Sequence, residues 1–207
     1  GSITLNTGSR PGGVCCASAG FGSSCNSSCV SNSSGLTMPT GCQPPNGLNG
    51  SYYNTTDLTG AVALSRRDGP VDFDWGLGSP GAGVNVDNFS VRWTGNVLVP
   101  YSGWYTFQTQ SDDGVRLWVN GQQLIDNWTW HHATDDTSTS IYLKAGTRYA
   151  IEMNMYDSGG YAVARLRWKR PLDAAFTAIP YGDGMQGLYP DTVPVVPDAG
   201  AMTGAVW

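Results

Sequence analysis

Two adjacent carboxylates, Asp112 and Asp113, stand in a short polar turn, Ser111 to Gly114, between dense hydrophobic stretches. Side chains of this type can hold a hard cation through oxygen, or they can cap the backbone amides of an Asp-Asp-Gly turn. Other carboxylates invite a catalytic reading. Asp72 and Asp74 share one face of an alternating run, and Glu152 is the only glutamate in the chain. Glycosidases place two such groups about 5–10 Å apart, but no further motif here positions a substrate between them. Ser-His-Asp order, a phosphate-cradling glycine loop and HExxH are all missing. The chain therefore reads as non-enzymatic. His131 and His132 are adjacent in a loop with no cysteine nearby, a weak transition-metal pattern. Asp135-Asp136 reads as a solvated loop tip.

The 207 residues suffice for one domain with extensions. Hydrophobic residues make up 40%, with 8 Trp and 10 Tyr, so a real core is expected. Charged residues reach only 13%, and 28 Gly with 12 Pro indicate many turns. A net charge of −5, with Lys144 and Lys169 the only lysines, argues against a nucleic-acid partner. Membrane insertion is not expected, since no apolar run of about 18 residues occurs. The five cysteines, Cys15, Cys16, Cys25, Cys29 and Cys42, lie among Ser, Gly and Asn with no nearby His. That setting favours disulfides over zinc and an extracellular or cell-surface location.

The positioning elements are strands. No sustained 3.6-residue apolar period is present, and short alternating runs recur between Gly-rich turns. Strands are expected near Gly50–Asn54, Gly60–Leu64, Val71–Trp75, Phe89–Gly95, Trp104–Phe107, Val115–Val119, Ser140–Leu143, Arg148–Tyr156 and Ala162–Trp168. Trp104, Tyr105, Phe107, Leu117 and Val119 read as sandwich-building residues. Asn120-Gly121 predicts a type I′ hairpin, whose central residues need positive φ. Residues 128–139 read as a loop and Asp157 to Gly160 as a turn. The fold expected is an antiparallel β-sandwich over 47–170, preceded by a Cys-rich, disulfide-tethered extension over 1–46. A tail over 171–207 packs on the domain or leads to the next module.

The succession Phe89 to Gly95, Tyr101 to Phe107, Ser111 to Gly121, Ile125 to Trp128 and Leu143 to Tyr149 resembles the protective-antigen-like (PA-fourteen) domain family. That resemblance implies a β-sandwich used by secreted toxins, glycosidases, bacterial adhesins and flocculin-type lectins. In the lectin members the Asp-Asp pair is joined by a cis peptide and coordinates Ca²⁺, which binds vicinal sugar hydroxyls. The implied metal ligands here are Asp112, Asp113 and Asp157, with backbone carbonyls from Gly159 and Gly160. Asp157 stands in for the asparagine ligand of yeast flocculins, which has no counterpart in this sequence.

A sugar site also needs flat apolar surface for the ring's C–H face and polar groups for the remaining hydroxyls. Trp128, Trp130, His131, Ser158 and Tyr161 lie in or beside the implied loops and are the candidate ligand-binding residues. The expected function is a calcium-dependent, lectin-like domain of a secreted or surface adhesin. Its partners would be glycans on a cell surface or in extracellular polysaccharide. The alternatives are a non-catalytic module of a glycoside hydrolase and an assembly domain without a sugar ligand.

Overall fold

The computed structural model describes residues 46–191, so the expectations for the five cysteines and the N-terminal extension lie outside the described residues. Period-two alternation dominates the local structure. The first strands are β1 (Leu48–Tyr53), β2 (Val62–Asp68), β3 (Asp72–Gly76), β4 (Phe89–Leu98), β5 (Gly103–Asp112), β6 (Val115–Val119) and β7 (Gln122–Asn127). They are followed by β8 (Thr134–Thr137), β9 (Ile141–Leu143), β10 (Arg148–Asp157), β11 (Ala162–Lys169), β12 (Thr177–Ala178) and β13 (Gly187–Tyr189).

These strands form two antiparallel sheets. One runs β2-β1-β4-β10-β6-β7, with β13 also pairing β4; the other runs β12-β11-β5-β8, with β3 on β11 and β9 on β5. The all-β sandwich holds. Between the sheets lie the inward phases of the strands. Val115, Leu117 and Val119 are buried while Arg116 and Trp118 are not, and Met153 and Met155 of β10 meet Phe107 and Trp168 of the facing sheet in one core. Asn120 (φ 52°) and Gly121 (φ 72°) make the expected hairpin turn between β6 and β7.

Two expectations need correction. Residues 128–139 are not all loop, because Thr134–Thr137 pairs with β5 as β8, so Asp135-Asp136 is strand rather than loop tip. After Pro171 the chain adds two short strands, β12 joining β11 and β13 joining β4. Finally, Trp104 is not core. Tyr105 and Phe107 occupy the inward phase of β5 at 0% exposure, so alternation drives Trp104 outward to 63%.

One buried charge steadies the core. The Asp68 carboxylate accepts from Tyr52 Oη (2.5 Å), Trp93 Nε1 (2.7 Å) and Arg66 Nε (2.6 Å). Arg66 also donates to Tyr52 Oη and to the Pro80 carbonyl, and its guanidinium lies 4.6 Å from the Tyr52 ring centroid. A buried carboxylate requires this kind of multiple pairing to offset its desolvation.

Candidate functional site

Four chain segments cross from one sheet to the other at the same end of the sandwich: β3 to β4, β5 to β6, β7 to β8 and β10 to β11. The registers require it, since Asp157 lies opposite Phe89, Val163 opposite Asp112, and Val115 opposite Asn127. Residues far apart in sequence therefore meet at these corners. Asp112 ends β5, and the Asp112–Asp113 peptide is cis. The Asp113 amide donates to the Tyr156 carbonyl and the Tyr156 amide to the Gly114 carbonyl, both at 3.0 Å. This backbone pair ties the Asp-Asp corner to the end of β10, next to Asp157.

Asp112, Asp113 and Asp157 are all buried, at 7%, 1% and 0% exposure. Their partners differ. Asp113 Oδ2 accepts from the Ser158 amide (2.8 Å) and the Ser158 hydroxyl (2.6 Å). Asp112 has the Ala133 backbone amide beside it, which favours its charged form. Both Asp157 carboxylate oxygens lack any hydrogen-bond partner. Burial, reinforced by Asp113, Asp87 and Asp112 and opposed only by the nearby Gly159 amide, pushes Asp157 up to about 7. Asp112 is also raised, by burial and by Asp113, against the pull of the Ala133 amide and of His132 and His131.

The loop after Asp157 is pinned from outside. Gly160 donates its amide to Asp87 Oδ1 at 3.1 Å, and Gly159 (φ 153°) and Gly160 (φ 97°) adopt positive φ that side chains resist. Asp87 was missed in the sequence. It lies in a polar Asn-Val-Asp-Asn run whose only signal is composition, and its role depends on the β3–β4 crossing.

The candidate ligand-binding residues take different places. Trp130 (63%) and Tyr161 (62%) are exposed, Trp130 packing edge-on with His132 at 5.1 Å. His131 is half-buried. Its Nδ1 lies 2.8 Å from the His132 carbonyl, which favours a proton there, and its buried Nε2 has no partner. Trp128 is occupied by the protein itself, with Tyr156 at 4.9 Å and the Arg116 guanidinium at 4.6 Å. Ser158 spends its hydroxyl on Asp113. The carboxylates weighed for catalysis are not brought together: Asp72 and Asp74 pair with Arg165 on one sheet, Glu152 with Arg92 on the other.

A profile of the PA14 domain matches residues 44–180. This chain belongs to the PA14 domain family. The PA14 domain here is 48% identical over 122 residues to anti-sigma-I factor RsgI3 of Acetivibrio thermocellus, covering 59% of this chain. It spans about a fifth (19%) of that relative's length. A solved anti-sigma factor domain-containing protein is 43% identical at a TM-score of 0.66, over 72% of this chain and 50% of that one. The A domain of epithelial adhesin 9 from Candida glabrata, solved in complex with Galβ1-3GlcNAc, shares the fold. Its TM-score is 0.55 at 14% identity, over 73% of this chain and 93% of that one.

Proposed function

We propose that this PA14 domain binds carbohydrate through calcium, acting outside the cell or on its surface on cell-surface glycans or extracellular polysaccharide. The observation that carries the reading is the Asp157 carboxylate: buried, flanked by other carboxylates and without a hydrogen-bond donor. A carboxylate so placed needs a counter-charge, and the surrounding donors are hard oxygens, the type calcium prefers. Among the described residues no three His, Cys, Asp or Glu side chains are placed to hold a metal ion together. Carbonyl and solvent oxygens must therefore complete the six to eight positions that calcium takes.

On binding, Asp112, Asp113 and Asp157 would draw in around the ion, with Gly159 and Gly160 lending carbonyls. Bound calcium would supply coordination positions for two vicinal sugar hydroxyls. Ser158 orients the Asp113 carboxylate, and Asp87 holds Gly160. Trp130 and Tyr161 offer exposed rings to the C–H face of a sugar. The galactoside held by the Candida adhesin supports a glycan as the ligand class.

Calcium titration by calorimetry, followed by a glycan array with and without chelator, tests the proposal. Saturable calcium binding lost in Asp157→Asn, with chelator-sensitive glycan binding, is the expected result. Failure to bind calcium would sink it. The relatives favour a second reading of the parent protein: with 48% identity to an anti-sigma-I factor, this domain would be the ligand-sensing part of a regulator rather than of an adhesin. Finding a sigma-factor-binding region elsewhere in the same polypeptide separates these two settings.

A further inference from the structure

Trp104 has no part in the site at the sheet-crossing corners. It stands at the other end of β5 from Asp112, eight residues away, or roughly 27 Å along an extended strand. It is 63% exposed, and its ring meets the 56% exposed Tyr142 edge-on at 5.6 Å. Large exposed rings side by side are the usual mark of a binding surface rather than of a free surface.

From this pair the outward phase of β5 continues as Thr106, Gln108 and Gln110. Each is held across the sheet. Thr106 and Ser140 share a hydrogen bond of 3.0 Å, Gln108 donates to Thr137 (3.3 Å) and accepts from Arg167 (3.2 Å), and Gln110 accepts from Arg165. The result is a strip of flat amide and guanidinium groups, oriented before any ligand arrives, that ends on two aromatic rings. Hydroxyl groups both donate and accept, so such a strip matches a row of them.

The charges on this face decide which polymer fits. Arg165 is matched by Asp72 and Asp74 at 3.1 and 3.0 Å, and Arg167 faces Asp135 at 3.8 Å. With Lys169 included, three positive side chains stand among three carboxylates. A balanced face has no net field to draw a polyanion or a basic partner, but it suits an uncharged chain. We infer that the outer face of the six-stranded sheet is a second, calcium-independent surface for a neutral polysaccharide, with Trp104 and Tyr142 as its stacking end. The ligand class rests on the glycan reading proposed above; the surface does not depend on the metal.

The experiment is affinity electrophoresis of the intact chain in EDTA. The gels contain hydroxyethylcellulose, xylan or galactomannan, with polygalacturonate as the acidic control. Retardation is expected in at least one neutral gel and not in polygalacturonate. The W104A/Y142A double variant, checked for an unchanged melting temperature, should weaken it roughly tenfold or more. Three results would overturn the proposal: no EDTA-resistant retardation in any neutral gel, equal retardation of the double variant, or a wild-type dimer in sedimentation that W104A/Y142A converts to monomer. Calcium-dependent binding on the glycan array is read separately, so its loss would count against the calcium site and not against this face.

Discussion

With divalent cations chelated, this domain's stability should fall as pH rises, and Asp157 is the reason. Its folded-state value is raised from 3.8 to about 7. Between these two values the folded chain binds a proton that the unfolded chain has released, so stability declines with increasing pH across that window and is flat outside it. That rise corresponds to at most about 4 kcal/mol at 1.36 kcal/mol per tenfold change in proton affinity, less whatever solvent screens. For a domain of this size 1 kcal/mol moves Tm by about 2–4 °C, which predicts a loss of at most about 8–16 °C between pH 4 and pH 7.5. Asp112 is raised for the same reasons and works in the same direction. The assay is a thermal melt in EDTA at half-unit pH steps, for wild type and Asp157→Asn. The amide cannot ionise, so the variant's profile should be flatter. Its gain at pH 7.5 should be only about 1–3 kcal/mol, because a buried amide without partners still costs about 1–3 kcal/mol. Calcium at pH 7.5 should raise the wild-type Tm by mass action and leave Asp157→Asn unmoved. Parallel pH profiles for the two proteins would refute the reasoning.

Further outcomes concern single contacts. Ser158→Ala removes the 2.6 Å hydroxyl bond to Asp113 and leaves the amide bond; calorimetry should show calcium affinity about tenfold weaker, in keeping with about 1.5 kcal/mol for a hydrogen bond to a charged group. Asp68→Ala removes the acceptor shared by Arg66 Nε, the Tyr52 hydroxyl and the Trp93 indole and leaves the half-buried Arg66 charge without its carboxylate, and urea unfolding should register a loss of about 3–5 kcal/mol. Trp130→Ala removes an exposed ring, so the same calorimetry should find calcium binding unchanged while glycan binding drops by roughly tenfold.

Much of the fold was legible because period-two alternation survives in any β-sandwich. Runs such as Val115 to Val119 and Arg148 to Asp157 bury every second side chain over most of their length, and the pattern shows without coordinates. β8 was not legible. Thr-Asp-Asp-Thr has no apolar phase, and only pairing with β5 makes it a strand. The two short C-terminal strands escaped for a similar reason: two or three residues are too few to display a period. Trp104 was misplaced because two consecutive aromatic residues, Trp104 and Tyr105, hide which phase points inward, and the sheet's facing partner chooses Tyr105 and Phe107.

By itself the sequence determined the all-β class, the hairpin at Asn120-Gly121 and the presence of an Asp-Asp corner, since these follow from local propensity and turn chemistry. It also marked Asp157 as a member of a glycine-rich loop. Only the tertiary structure decided that this loop lies against the Asp-Asp corner, that Asp87 reaches Gly160 from a third crossing, and that Asp157 has no donor. Those facts depend on four crossings converging at one end of two sheets. Convergence of that kind is set by long-range strand register, and no local stretch of residues encodes it.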